Sequence, residues 1–169
     1  GALIYRVAGV VLAHPDVTET KLLAGKVTLV HRALWPRVVA VGVAREDWQT
    51  GGLSPQAVAL LAAVDAAGEV RTDAADAPRT GTVAAASTPK AARELERALL
   101  VHAEQVHSAS GAHAKVLRTW DRWSAAHGVT EPLPPVRAAK DELNRVLGRL
   151  NQRWGTRLRL PWPSGGGRP

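Results

Sequence analysis

The chain has 169 residues, no cysteine and a formal net charge of +7, and hydrophobic residues make up 46% of it. This length accommodates one ordinary domain or two small ones, and the lack of cysteine excludes disulfides and thiolate metal sites and fits a reducing compartment. The isoelectric point near 10.8 favours a polyanionic partner, nucleic acid first, although an arginine-rich composition alone also explains it.

Residues 1–50 are predicted to form an N-terminal region that could belong to a larger module. The apolar stretch over residues 3–13 fits either a buried strand or a short helix, and it lacks the basic start of a signal peptide. Asp16 or Thr18 can then cap a helix that runs to Ala24. No apolar run in the chain is long enough to cross a bilayer, so we expect no membrane span.

The stretch that follows is predicted to change from strand to helix. Residues 26–30 alternate as a strand does, and residues 31–41 have helical character up to Pro36 or beyond. Four cations of this region fit phosphate contacts and a solvated surface equally well. They are Lys21, Lys26, Arg32 and Arg37.

A buried helix is predicted in the middle of the chain. Ser54 suits the cap of this helix and Pro55 its first position. Residues 56–67 are apolar nearly all round, which favours burial on several sides. Gly68 ends the helix, and residues 69–72 are a candidate for a short strand.

An amphipathic helix is predicted over residues 88–100, and a β-hairpin follows it. Thr88 and Pro89 suit the first turn of this helix. At helical spacing one side of the helix is apolar and the other is basic. The apolar residues are Ala92, Leu95 and Leu99, and the basic ones are Lys90, Arg93 and Arg97. The hairpin comprises strands over residues 101–107 and 112–120.

This order of elements is typical of a winged helix, a helix-turn-helix variant that lays one helix in the DNA major groove. That fold needs one more helix, and the low-complexity residues 73–87 fit either that helix or a loop. The sequence therefore predicts an α+β, mainly helical protein with a winged-helix domain over residues 51–125. The apolar side of the basic helix would pack on Val58 and Leu61. The predicted contacts to double-stranded DNA are Lys90, Arg93, Arg97, His107, His113, Lys115 and Arg118.

Residues 126–169 are predicted to be a linker, a helix and a tail that pack back on the main body. Several prolines stiffen the linker, and an amphipathic helix spans residues 136–153. Residues 157–160 alternate as a strand does. This unit is too small to fold by itself.

The sequence contains no common phosphate-binding or catalytic motif and no convincing pair of carboxylates. On an ideal strand His102 and His107 point to opposite faces, so we interpret the histidines of the hairpin as surface groups. We expect neither a metal nor any other cofactor. Asp121 is expected to cap the segment after the hairpin, and His127 is isolated in the sequence.

Four segments together resemble bacterial winged-helix proteins related to the AlkZ/YcaQ-like DNA glycosylases. The segments are residues 20–26, 53–68, 90–100 and 117–123. The resemblance implies tandem winged-helix modules around a DNA-binding groove and, in the enzymes, metal-free excision of alkylated or crosslinked bases. Those enzymes carry a catalytic Gln-x-Gln or Gln-x-Asp motif. No glutamine of this chain is followed two positions later by glutamine or aspartate, so the resemblance implies no catalytic residue here.

The sequence therefore favours a cytoplasmic, nucleoid-associated winged-helix protein that binds double-stranded DNA in repair or transcription and is not an enzyme. One alternative is a base-excision enzyme of the glycosylase type. Another is a protein-interaction module that forms a homodimer through its apolar helices, with the helix over residues 136–153 as the contact.

Overall fold

A computed structural model of the protein describes residues 2–73, 88–107, 113–130 and 132–163. Within these ranges the fold is α+β and mainly helical, which confirms the predicted class. The helices are α1 (Ala2–Leu12), α2 (Trp35–Ala44), α3 (Asp47–Thr50), α4 (Pro55–Ala67), α5 (Thr88–Arg97), α6 (Trp120–Ala126) and α7 (Val136–Trp154). The strands are β1 (Val17–Leu23), β2 (Lys26–His31), β3 (Glu69–Arg71), β4 (His102–His107) and β5 (His113–Arg118).

Strands β1 and β2 form an antiparallel hairpin, so the helix predicted to run to Ala24 is wrong. Ala24 and Gly25 both have positive φ, 51° and 68°, which matches the right-handed twist of a two-residue hairpin turn. The threonines of β1 favour an extended backbone, and β2 supplies the hydrogen-bond partners that a search for helix caps does not consider. The predicted strand over residues 26–30 is confirmed as β2.

An aromatic cluster occupies the half of the core that α2, α6 and α7 enclose. We define it by Trp35, Trp120 and Trp123, which are each no more than 3% exposed. Ala139 and Leu143 of α7 pack into the same cluster, so the C-terminal helix does lie against the main body.

An aliphatic cluster fills the other half, between α4, α5 and the second sheet. It contains Ala57, Leu60, Leu61, Val64, Ala91, Ala92, Leu95 and Leu117. Leu61 is part of it, but Val58 is 53% exposed, so the predicted contact of α5 with Val58 is wrong. Helix α4 begins after the Ser54 cap and ends at Gly68 as predicted, yet it buries one face rather than several.

The second sheet has the strand order β3-β5-β4, with both pairs antiparallel. Its central strand β5 therefore links the strand after α4 to the strand after α5. The expected additional helix falls on residues 74–87, which lie outside the described residues.

Two expectations for the C-terminal part are wrong. Thr119, not Asp121, caps α6, because its hydroxyl accepts a hydrogen bond from the Arg122 amide. Residues 157–160 are not a strand: the amide of Leu158 donates to Asn151 Oδ1, and its carbonyl accepts from Asn151 Nδ2. The Asn151 side chain of α7 thus makes the two hydrogen bonds that a partner strand would make to Leu158.

Candidate nucleic-acid interface

Helix α5 presents a buried side and an exposed side. Ala91, Ala92 and Leu95 are no more than 2% exposed, and they hold the helix against α4. The small alanines allow the two backbones to approach closely, so α5 is fixed as a rigid element of the aliphatic cluster.

The C-terminal end of α5 closes without a glycine. Leu99 has a left-handed φ of 54°, while the amide of Leu100 donates to the Leu95 carbonyl at 3.0 Å and that of Leu99 to the Glu96 carbonyl at 3.1 Å. This pair of bonds is the Schellman arrangement, in which glycine usually takes the left-handed position. Leu99 is completely buried in the aromatic cluster, and that burial offsets the backbone strain. The helix therefore ends earlier than residue 100.

Side chains from two other helices donate hydrogen bonds to the backbone carbonyls at this end. The Gln49 amide, 1% exposed, donates to the Ala98 carbonyl at 2.9 Å. The Trp120 indole donates to the Leu99 carbonyl at 2.7 Å. Helix α5 is thus anchored by α3 and α6 as well as by α4, which gives its exposed side a fixed orientation.

The acidic residues of α5 are engaged with the protein itself. Glu94 Oε2 accepts a hydrogen bond from the Ser54 amide at 3.0 Å, which holds the pKa of Glu94 below its usual value. Glu96 is 5% exposed and forms an ion pair with Lys115 of β5. Glu96 is thus neutralised by Lys115, whereas Glu94 still interacts electrostatically with Lys90.

Lys90, Arg93 and Arg97 form the outer side of α5, and we call them the α5 cations. All three are exposed, and none takes part in an ion pair with any residue that the structure describes. At about 100° per residue they fall within about 60° of arc. The Arg97 side chain lies beside the β1–β2 turn, since a Cβ at Gly25 would come within 2.6 Å of its Nε.

The other predicted contact residues lie in the β4–β5 hairpin. His107 and His113 form a cross-strand pair of this hairpin, and their side chains lie outside the described part of the structure. Lys115 pairs with Glu96, and Arg118 pairs with Glu69 and Glu104 at 2.6 Å each. The cations of this hairpin that the structure describes are thus engaged inside the protein, whereas the α5 cations are not.

The cations in and after the β1–β2 hairpin are also partly in ion pairs and partly not. Arg37 pairs with Glu142 at 2.8 Å, and Arg32 lies 3.5 Å from Asp16. Lys26 is exposed beside Gly25 and adds positive charge near Arg97.

His102 is buried rather than on the surface, which corrects the interpretation from the sequence. It is 5% exposed and stacks on Trp123 with ring centroids 4.8 Å apart. His127 stacks on the same indole at 4.4 Å. Burial, with smaller contributions from His127 and Arg118, lowers the pKa of His102 to about 3. A buried neutral histidine in an aromatic stack is a core residue, and its neighbours in the stack, Trp123 and His127, are more than 20 positions away in the sequence.

Two carboxylates among the described residues are held in ion pairs. Glu46 is bound to Lys140 at 2.7 Å, and Asp65 is held by both terminal nitrogens of Arg45. Over the described ranges no three potential ligand side chains are grouped to hold a metal ion. The cleft between β1, α5 and β4 has a volume of about 70 Å³. A more open cleft beside Arg32, Trp35 and Gly128 has a volume of about 550 Å³.

No helix among the described residues is both long enough and apolar enough to cross a bilayer. The chain matches no protein-family model, no curated protein and no solved structure.

Proposed function

We propose that this chain is a winged-helix protein that binds double-stranded DNA through α5 in repair or transcription, without catalysing a reaction. The observation that carries the proposal is the outer side of α5. There, Lys90, Arg93 and Arg97 are exposed and unpaired within the described part of the chain, while Glu94 and Glu96 are turned to the protein.

The order and pairing of the elements support the winged-helix part of the proposal. Helix α4 and strand β3 precede α5, and the β4–β5 hairpin follows it. The hairpin pairs with β3 through β5, so the helix and the hairpin lie in one unit. In proteins of this type the helix before the hairpin enters the major groove, and the hairpin reaches the neighbouring backbone.

The chemistry of α5 favours phosphate contacts over base reading. Its outer side offers lysine and arginine but no asparagine or glutamine. Cations neutralise phosphates and release counterions, which gives affinity for any sequence and a strong dependence on salt. We therefore expect binding with little preference among sequences.

Titration of labelled duplex DNA at several salt concentrations tests the proposal. The triple variant Lys90→Gln, Arg93→Gln, Arg97→Gln should bind more weakly, and the slope of log affinity against log salt should fall by about 2.7, or about 0.9 per phosphate. The three side chains are exposed, so the melting temperature should stay close to that of the unaltered protein.

A matched control removes three exposed charges elsewhere: Arg6→Gln, Arg122→Gln, Arg137→Gln. Duplex affinity should change little in this variant. An equal loss of affinity and slope in both variants would contradict the proposal, because attraction to net charge would then explain binding.

The two alternatives remain separable by experiment. A glycosylase would leave an abasic site in duplex DNA that carries an alkylated base, whereas the proposed protein leaves none. Dimerisation through the apolar side of α7 is disfavoured because Ala139, Leu143 and Leu147 of that side are no more than 8% exposed. Light scattering of the full chain would detect a dimer formed through another surface.

A further inference from the structure

Positive charge is concentrated at the end of the chain. Residues 143–169 contain six arginines but no lysine, aspartate or glutamate. Any electrostatic partner of this segment is therefore either an acid earlier in the chain or a separate anion.

The two halves of α7 differ in how their charges are satisfied. In the first half Lys140 binds Glu46 at 2.7 Å, and Glu142 binds Arg37 at 2.8 Å. In the second half Arg145, Arg149 and Arg153 are exposed, and we call them the α7 arginines. They form no ion pair or hydrogen bond that the structure records with the residues it describes. Glu46 and Glu142 are thus already bound, whereas Asp141, one turn before Arg145, is exposed and forms no ion pair that the structure records with the residues it describes.

The α7 arginines form a regular row. They recur every fourth residue, so each is displaced from the last by about 6 Å along the axis and rotated by about 40°. Successive phosphates of an extended nucleic-acid strand have a comparable separation. Guanidinium groups bind phosphate oxygens with two parallel hydrogen bonds, so a row of them suits a row of phosphates.

An exposed indole stands at the end of this row. Trp154 is 68% exposed, whereas the other five tryptophans are buried or half-buried. The Arg153 guanidinium lies 5.4 Å from the centroid of the Trp154 ring. An exposed aromatic ring beside cations is the combination that stacks an unpaired base while the phosphates are held. In a duplex the faces of the bases are covered by their neighbours, so only a single strand could use this ring.

We propose that the second half of α7 binds single-stranded DNA, with the α7 arginines on consecutive phosphates and Trp154 stacked on a base. The assignment of a single strand rests on the arginine row and the exposed indole. The choice of DNA over RNA rests on the proposed function, because phosphate contacts and stacking do not distinguish the sugar.

Two other partners fit the surface less well. An anionic membrane would require a broad apolar side of the helix, but Leu143 and Leu147 are packed against the protein and leave only Leu150 and Trp154 of that side exposed. A second copy of this chain would bring its own arginine row, and like charges would repel each other. Charge complementarity therefore favours the nucleic-acid strand.

Fluorescence anisotropy of the full chain with labelled oligothymidylate tests the proposal. In the variant Arg145→Gln, Arg149→Gln, Arg153→Gln the salt slope should fall by about 2, or about 0.7 for each phosphate of a single strand. Trp154→Leu should weaken binding by about fivefold or more and leave the slope unchanged. The quenching of tryptophan emission by the oligonucleotide should be lost in Trp154→Leu.

The variant Arg6→Gln, Arg122→Gln, Arg137→Gln is the matched control, since it also removes three exposed charges and touches neither the α5 cations nor the α7 arginines. It should retain its affinity for oligothymidylate. The proposal would be overturned by an unchanged affinity in the α7 variant, by an equal loss in both variants, or by tighter binding to phosphatidylserine vesicles than to the oligonucleotide.

The two proposals can fail separately. If the α5 variant keeps its duplex affinity, the proposed function is wrong. If the α7 variant keeps its affinity for oligothymidylate, the inference about α7 is wrong.

Discussion

The aromatic and aliphatic clusters are built from different side chains, and each fixes a different property of α5. In the aromatic cluster Trp35 and Trp120 both meet Trp123 edge to face, at centroid distances of 5.2 and 5.6 Å. The aliphatic cluster contains no aromatic side chain and brings α5 onto α4 through alanine and leucine.

Indole groups give the aromatic cluster directional bonds that the aliphatic one lacks. Trp35 donates to the Val30 carbonyl at 3.0 Å, and Trp120 donates to the Leu99 carbonyl at 2.7 Å. A buried N–H needs an acceptor, so each bond fixes one helix against the backbone of another element. The aliphatic cluster thus determines which side of α5 is exposed, and the aromatic cluster determines where α5 ends. Stability and the placement of the α5 cations are therefore connected.

The largest expected effect is the loss of Trp123 from the aromatic cluster. Trp123→Ala should lower the free energy of unfolding by about 3 kcal/mol, at the lower end of the usual 3–5 kcal/mol. The lower end is expected because the buried Trp123 N–H has no hydrogen-bond partner among the described residues, so its removal costs no bond. Urea unfolding measures the change.

Trp154→Ala is the matched control for this substitution. Trp154 is 68% exposed, so its loss should change the free energy of unfolding by less than about 0.5 kcal/mol. Similar losses in the two variants would contradict a packing role of Trp123 in the aromatic cluster.

The next effect is a loss of stability in acid that originates in the aromatic cluster. The pKa of His102 is lowered from 6.5 to about 3 by burial, so between these values the unfolded chain binds a proton that the folded protein does not. Stability should therefore fall as the pH falls, by up to about 2.7 kcal/mol between about pH 6.5 and 4.5, at about 1.36 kcal/mol per unit.

The variant His102→Phe separates this contribution from the other titrating groups. Phenylalanine can stack on Trp123 but cannot bind a proton, so the dependence on pH in this range should become flatter. Urea unfolding at several pH values gives the comparison, and parallel curves for the two proteins would rule out His102 as the source.

Smaller changes in stability are expected when two helical glycines are replaced by alanine. A Cβ on Gly42 of α2 would overlap the Trp120 indole, and the overpacking should cost about 1–3 kcal/mol in Gly42→Ala. A Cβ on Gly148 of α7 meets nothing within 4 Å, so Gly148→Ala should stabilise the protein by about 0.5–1 kcal/mol. Thermal melting distinguishes the two signs, and equal signs would contradict the tight packing described for the aromatic cluster.

Local patterns predicted the regular parts of the fold. Ser54, Pro55 and Gly68 mark the ends of α4, and the periodicity after Pro135 predicts α7 almost to its last residue. Such signals depend on neighbours within a few positions, which the sequence displays directly. Strand β1 was missed because its extended conformation depends on pairing with β2, which no local capping signal reveals.

The candidate interface was predicted in part. The three α5 cations follow from helical spacing alone, and the structure does expose them. The ion pairs of Lys115 and Arg118 could not be predicted, because their partners Glu96 and Glu69 are 19 and 49 positions away along the chain. The α7 arginines had a signal in the sequence, the lack of any acidic residue after Glu142.

The sequence by itself determined that α5 has a basic side and an apolar side, because both follow from the period of the helix. Only the tertiary structure decided which charges stay unpaired, since ion pairs join residues that the fold brings together. It also decided that His102 is buried and that Leu99 ends α5, because aromatic packing outweighs the local preference for an exposed histidine and a glycine. Local periodicity thus places a side chain on a face, and long-range packing decides what that face meets.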